Sequence, residues 1–252
     1  FVPLDDEGIS VKELEDREAD IIHISPSHHY PTGKVMPISR RYEILGWASK
    51  SDSRYIIEDD YDCEFRLLGK PIPSMESIDV MEKVIYMNTF TKSLASTIRI
   101  SYMVLPKNLL ETFYSKLGFY SCTVSNFEQY TLARFIKEGY FEKHINRMRN
   151  FYRNKRDYMV ENINKYSDIA SVKIKEEDAG LHFLLEVDTD MTDDELIESA
   201  RDNDIRISCL SKYYYNNENA KKHIIVINYS GIENDKIEEA VKRLLKSIKR
   251  NK

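Results

Sequence analysis

Short apolar runs alternate with polar, periodic segments through the first two thirds of the chain. The apolar runs predict strands at 21–25, 55–57, 84–90 and 100–105, and the periodic segments predict helices at 11–17, 39–49, 106–117, from about 125, and at 140–166. Strands alternating with helices are typical of an α/β fold with a mostly parallel sheet. The connection from 90 to 100 is too short for a parallel crossover, so we expect the fourth strand to return antiparallel.

The pattern changes after residue 167. Four short strands are predicted at 172–174, 182–187, 205–208 and 223–229, with helices at 192–203 and 233–251. This arrangement predicts a small C-terminal α+β unit. We therefore expect a large domain over residues 1–165, which ends in a long linker helix, and a small domain over residues 166–252.

Two charged residues follow neighbouring predicted strands. Asp59 comes just after the strand at 55–57, and Lys92 comes 33 positions later, just after the strand at 84–90. In an open α/β sheet, ligands bind outside the carboxyl ends of the strands. A lysine that forms a Schiff base and an acid that pairs with the pyridinium nitrogen are the two groups that pyridoxal phosphate needs. Asp60 is the competing position for the acid.

The antiparallel return adds candidates for a phosphate contact. Arg99 opens the fourth strand, seven residues after Lys92, and should lie at the same edge. A guanidinium can hold a phosphate through two parallel, charge-assisted hydrogen bonds. Thr89, three residues before Lys92, offers a hydroxyl to the same group, although a threonine that ends a strand is unremarkable.

Four sequence stretches carry a resemblance to a known family. They are Pro26–Gly33, Ile57–Phe65, Tyr86–Leu94 and Ala179–Phe183. In these stretches the chain resembles the aminotransferase-like domain of MocR-type transcription regulators, a branch of the GntR group, and more distantly fold-type I aminotransferases. The resemblance implies a fold-type I large-domain sheet, mostly parallel with one antiparallel strand, and a C-terminal α+β small domain.

The resemblance also implies roles for single residues. Lys92 would carry pyridoxal phosphate as a Schiff base, Asp59 would hold the ring nitrogen protonated, and Tyr61 would donate a hydrogen bond to the ring's phenolic oxygen. Tyr30 stands where aminotransferases usually have an asparagine, which argues against efficient transamination.

Residues for an effector are harder to assign from the sequence. Aminotransferases bind the substrate carboxylate with an arginine near the C-terminal strands, and the run 224–230 has none. Lys212 stands about where the regulators carry a carboxylate-binding arginine, Arg206 is the other cationic candidate, and His182 is expected to line the pocket. A lysine in a polar loop is more often simply solvated.

Three functions follow from these features. The first is effector sensing by a regulator domain, in which an amino compound forms an external aldimine with pyridoxal phosphate and so controls DNA binding. The second is a true aminotransferase, which would share Lys92, Asp59, Tyr61 and Arg99. The third is an interaction module without cofactor. The resemblance implies a homodimer and two upstream pieces outside this chain: a winged-helix DNA-binding domain and the first part of the aminotransferase-like domain.

Composition narrows the classes further. The 252 residues carry a net charge of −5, with 31% charged and 11% aromatic residues. Lysine and arginine are dispersed among acids, so no nucleic-acid surface is indicated within the chain. No apolar stretch approaches the roughly 20 residues of a membrane span. The cysteines at 63, 122 and 209 have neither metal-ligand nor disulfide spacing, which favours a reducing cytoplasm and no metal site.

Overall fold

The computed structural model describes residues 1–69, 72–216, 218 and 220–249. The strands are β1 (Leu4–Asp5), β2 (Gly8–Ile9), β3 (Ile21–Ile24), β4 (Tyr55–Asp59), β5 (Val84–Thr89), β6 (Ser101–Val104), β7 (Val172–Lys175), β8 (His182–Val187) and β9 (Ile224–Asn228). The helices are α1 (Val11–Glu15), α2 (Ile38–Ser49), α3 (Met75–Ile78), α4 (Phe90–Ser93), α5 (Lys107–Leu117), α6 (Asn126–Lys137), α7 (Tyr140–Lys165), α8 (Asp193–Asp202) and α9 (Ile237–Ser247).

The first sheet has the order β3-β4-β5-β6. β3, β4 and β5 run parallel to each other, and β6 returns antiparallel to β5. This confirms the predicted mostly parallel sheet with one antiparallel strand. Ile56 and Val84 face a core that Ile44 and Trp47 of α2 complete. Full burial of a side chain of this size stabilises the fold by roughly 1.5–3 kcal/mol.

The second sheet is antiparallel, in the order β7-β8-β9. Alternation along β8 sends Phe183 and Leu185 into the main C-terminal core, while Leu184 joins a smaller cluster on the other face. Ile237, Val241, Leu244 and Leu245 of α9 line the same core at helical spacing, and Ile248, directly after the helix, joins them. The sheet and its helices form the predicted α+β unit.

α7 joins the two sheets. Near its start, Nε2 of His144 donates a hydrogen bond to the carbonyl oxygen of Ser93 over 3.0 Å. Near its end, Met159 and Ile163 pack into the core of the second sheet, and Leu67 from the first part of the chain joins them. The division after residue 165 stays a prediction.

One predicted strand is wrong. Residues 205–208 form no strand, and only an isolated bridge links Cys209 to Ile225. The chain turns directly after α8 at Asp204, whose φ is +58°, so that the segment reaches β9 only at Ser208. Ile205 and Ile207 nevertheless pack on the core, which explains the strand-like pattern. The last predicted helix ends at Ser247: positions 248 and 249 are not helical, and the predicted positions 250 and 251 lie outside the described residues.

Candidate functional site

Asp59 lies at the edge of the first sheet where the parallel strands end. It is the last residue of β4, and its side chain is 34% exposed. On the neighbouring strand β3, Nε2 of His23 donates a hydrogen bond to Oδ2 of Asp59 over 3.2 Å. This contact restrains the orientation of the carboxylate and leaves part of it accessible to a ligand.

Asp60 belongs to the other side of the sheet. It is 4% exposed, and the hydroxyl of Tyr86 donates a hydrogen bond to its Oδ2 over 3.2 Å. The amide of Asn88 donates in turn to the Tyr86 hydroxyl over 3.0 Å. Asp59, and not the competing Asp60, is therefore the acid that a ligand can reach at this edge.

Lys92 lies directly beyond β5, in the single turn of α4. Asp59 pairs with Met87 in the parallel register, so Lys92 comes five residues after the position opposite the acid. Its side chain is exposed. The structure thus places the predicted lysine and the predicted acid at the carboxyl ends of adjacent parallel strands.

Thr89 and Arg99 flank this turn. Thr89 caps α4: its Oγ1 accepts a hydrogen bond from the backbone N–H of Thr91 and donates one to the carbonyl oxygen of Ile100, each over 3.2 Å. A phosphate contact from Thr89 would have to exchange the second of these bonds. Thr89 pairs with Ser101 in β6, so Arg99 extends two residues beyond the pairing, and it is exposed.

Half-buried Tyr61 and buried His28 form the floor of the site next to Asp59. The Tyr61 hydroxyl donates a hydrogen bond to the carbonyl oxygen of His28 over 2.9 Å. Burial raises the pKa of Tyr61, and Asp62 and Asp59 raise it further, so the hydroxyl keeps its proton. Nδ1 of His28 donates to Oδ2 of Asp62 over 2.9 Å, and these two side chains are 2% and 4% exposed. The predicted contact of Tyr61 with a cofactor ring would replace its bond to the main chain.

His182, the first residue of β8 in the second sheet, contacts the same floor of the site. Nε2 of His182 donates a hydrogen bond to the carbonyl oxygen of Pro31 over 3.2 Å, and its ring centroid lies 4.4 Å from that of His28. Burial, followed by the nearby charge of His28, lowers the pKa of His182 to about 3, so the ring is neutral near pH 7. That His182 lines an effector pocket stays a prediction.

Gly180 makes this close approach possible. Its φ is +69°, and a Cβ at this position would lie 1.9 Å from Cε1 of His28. Its backbone is held on both sides, because its N–H donates to the carbonyl oxygen of Phe65 over 3.0 Å and its carbonyl accepts from the Tyr229 hydroxyl over 2.6 Å. Only glycine fits at this point of the Ala-Gly-Leu-His-Phe stretch.

The two cationic effector candidates lie apart from this floor. Nζ of Lys212 is 2.5 Å from Oδ1 of Asp194, and this hydrogen bond raises the pKa of Lys212. Arg206 is exposed and stands between Ile205 and Ile207, which both pack on the C-terminal core. In an extended segment successive side chains alternate, so Arg206 projects away from that core.

Four residues of the site were not predicted as site residues from the sequence: His23, His28, Asp62 and Tyr213. A signal for the first three was present, because His23 precedes Asp59 by 36 residues and His28 precedes Asp62 by 34, close to the 33 that separate Asp59 from Lys92. Each interval is one strand–helix repeat, which returns the chain to the same edge. Tyr213 had no such signal, since its partner Tyr30 is 183 residues away.

Comparisons with known proteins agree on one fold. The chain superposes on the kynurenine aminotransferase of Pyrococcus horikoshii with a TM-score of 0.83 and 28% identity, which covers 98% of this chain and 62% of that one. No protein-family model matches the chain. The fold is that of the fold-type I aminotransferases that depend on pyridoxal phosphate.

Several sequence relatives are transcription regulators. The HTH-type regulator YdeL of Bacillus subtilis is 40% identical over 96% of this chain and 52% of its own length. The probable rhizopine catabolism regulatory protein MocR of Rhizobium meliloti is 31% identical over 96% of this chain and 48% of its own length. Over most of its length the chain is therefore similar to transcription regulators of the MocR type. It spans about half the length of the curated relatives that it matches.

The residues at the sheet edge fit pyridoxal phosphate in their chemistry. The Lys92 amine and the accessible Asp59 carboxylate supply the two groups that the aldehyde and the ring nitrogen require. Within the described residues, no helix is long and apolar enough to cross a membrane, and no group of three or more histidine, cysteine or acidic side chains could hold a metal ion.

Proposed function

We propose that this chain is the effector-sensing, pyridoxal-phosphate-binding part of a MocR-type transcription regulator. The observation that carries the proposal is the position of Lys92 and Asp59 at the ends of adjacent parallel strands, in a chain whose relatives include HTH-type regulators. DNA would be bound by a winged-helix domain outside this chain. A cytoplasmic location is part of the same proposal.

The bound cofactor would supply an aldehyde that exchanges amines and a ring that withdraws electrons. Lys92 would hold it covalently and release it to an incoming amine. Asp59, restrained by His23, would keep a proton on the ring nitrogen, because a neighbouring carboxylate favours the charged form. Arg99 and Thr89 would bind the phosphate, and Tyr61 the ring's phenolic oxygen.

A small amino compound would be the effector. The effector would contact His182 of the C-terminal unit, and Arg206 and Lys212 would provide its cationic contacts. Lys212 would first have to leave Asp194. Sensing requires that the effector bind two conformations with different affinity, and turnover is not required. The contact of His182 with Pro31 offers such a difference, since it links the second sheet to the turn that follows β3.

Homodimerisation is part of the proposal. α5 and α6, all of whose residues are described, contain no buried residue, and β6 is exposed along its whole length. Tyr114, Phe119, Phe127 and Tyr130 are among the apolar side chains on this surface, each at least 67% exposed. Large exposed apolar patches mark interaction sites. Light scattering tests this point, and a monomer mass at all concentrations would contradict it.

The decisive experiment adds pyridoxal phosphate to the chain, records the visible spectrum, reduces with borohydride and locates the added mass. We expect the label on Lys92, its loss in Lys92→Ala, and its retention in Lys116→Ala, which removes an exposed lysine of α5. Asp59→Asn should weaken cofactor binding more than Asp60→Asn, since Asp60 is buried on the other side of the sheet. A folded chain that takes up no cofactor, or a label on another lysine, would contradict the proposal.

An aminotransferase is the second candidate, favoured by the 28% identity to a solved kynurenine aminotransferase. The shared residues do not separate the two functions. Half-transamination with a panel of amino acids and keto acids does: rapid conversion of the cofactor between its aldehyde and amine forms would establish an enzyme. Tyr30, in place of the usual asparagine, predicts slow conversion.

A further inference from the structure

Two tyrosines meet across the two sheets beside the candidate site. Tyr30 lies in the turn after β3, and Tyr213 ends the short helical turn Leu210–Tyr213 that precedes β9. Their hydroxyl oxygens are 3.0 Å apart, and their rings pack edge to face with centroids 5.5 Å apart. The Tyr30 ring also packs edge-on against His182 at 5.2 Å. The pair is therefore held in place although its members are 45% and 44% exposed.

The hydrogen bonds of this pair leave one donor free. Each phenol has a single O–H and can also accept. When one hydroxyl donates to the other, the acceptor keeps its own proton, and neither oxygen has another partner among the described residues. Burial raises the pKa of Tyr30 to about 12, and the bond to Tyr213 contributes, so the Tyr30 hydroxyl stays protonated at neutral pH. The pair thus offers one donor to a third group.

The location ties this donor to the candidate site. Tyr30 is close enough to Tyr61 to affect its pKa, and Tyr61 follows Asp59 by two residues. The next residue after Tyr30, Pro31, accepts the hydrogen bond of His182. By contrast Lys212, adjacent to Tyr213, has its ammonium group bonded to Asp194. On this part of the small unit the hydroxyl, and not the neighbouring cation, is available to a ligand.

We propose that Tyr30 and Tyr213 together form a recognition site for an oxygen acceptor of the effector, such as a carboxylate oxygen. This inference rests on the proposed function and narrows its ligand to amino compounds that carry such an oxygen. One hydroxyl belongs to the turn after the first sheet's β3 and the other to the C-terminal unit. A ligand oxygen bonded to the pair therefore stabilises the arrangement in which both are close, which is the difference in affinity that sensing needs.

The test uses the chain loaded with pyridoxal phosphate and titrated with ω-amino acids of two to five carbons and with the n-alkylamines of equal length. Binding is followed by the change in the cofactor's absorbance. The variants are Tyr213→Phe, Tyr30→Phe and the double variant, with Tyr215→Phe as the control, because Tyr215 is 80% exposed and stacks on Phe1. A second readout without cofactor is hydrogen exchange of the backbone amides at 28–34 and 210–214.

For at least one chain length we expect the amino acid to bind more tightly than the matching alkylamine. The double variant should reduce that preference by about tenfold, the effect of one hydrogen bond to a charged group. Each single variant should reduce it by less, because the remaining phenol still carries one O–H but has lost the partner that positions it. Exchange at both segments should be faster in Tyr213→Phe and unchanged in Tyr215→Phe.

Two results would overturn the inference. An unchanged preference in the double variant, with cofactor still bound through Lys92, would refute the tyrosine site and leave the proposed function standing. A wild-type chain that shows no cofactor band would refute both. The two failures are therefore distinguishable in the same titration.

Discussion

Replacing Gly180 by alanine probes the closest contact in the candidate site. A non-glycine residue with positive φ costs about 1–2 kcal/mol. The new Cβ would also lie 1.9 Å from the His28 ring, while the Gly180 backbone is fixed by Phe65 and Tyr229. His28 must therefore move and lose its buried bond to Asp62, at a cost of about 1.5–3 kcal/mol. We expect Gly180→Ala to lower the free energy of unfolding by about 2.5–5 kcal/mol in total.

Gly139 provides the matched control. Its φ is +75°, and a Cβ there would meet nothing within 4 Å among the described residues. Gly139→Ala should therefore cost only the backbone term, about 1–2 kcal/mol. Urea unfolding followed by circular dichroism measures both variants. Equal destabilisation of the two would refute the reasoning, since it would mean that His28 yields to a methyl group without cost.

Three further predictions concern titration and thiol reactivity. Burial raises the pKa of Glu58 to about 7, so the stability that protonated Glu58 contributes should be lost as the pH rises from 4.5 to about 7. Urea unfolding across this pH range should show the loss. If the free energies of unfolding of wild type and Glu58→Gln changed in parallel with pH, the prediction would be contradicted. The lowered pKa of His182 has the opposite sign: wild type should lose stability relative to His182→Asn as the pH falls below 6.5, measured in the same way. Cys122 is exposed, whereas burial raises the pKa of Cys63 and raises that of Cys209 to about 12. A maleimide should therefore label Cys122 at least about tenfold faster than Cys63 or Cys209, and mass mapping of the labelled peptides measures this.

Much of the sheet edge followed from the sequence, because one strand–helix repeat has a nearly constant length. The spacing from Asp59 to Lys92 and the short connection to Arg99 sufficed to place three groups at one edge, and the parallel and antiparallel pairings agree with that placement. The engagement of Lys212 by Asp194 was not predictable, because nothing in a polar loop indicates which acid lies opposite.

Residues 205–208 show where the pattern misleads. Ile205 and Ile207 alternate with polar residues as in a strand, and they do pack on the core, yet a strand also needs a partner within hydrogen-bonding distance along its length. Because the chain turns at Asp204, residues 205–207 do not pair with a neighbouring strand. The Tyr30–Tyr213 contact could not be predicted from the sequence for a related reason, because it depends on how the second sheet is placed against the first.

α7 has a mechanical consequence. From His144, bonded to the turn that carries Lys92, to Ile163 in the C-terminal core, the helix rises about 1.5 Å per residue, or roughly 28 Å in all. If a straight helix of this length tilts by about 5° about its His144 end, its other end moves by about 2.5 Å. A small change in the turn beside Lys92 is thereby amplified at the far side of the molecule, without any change in the internal packing of either sheet.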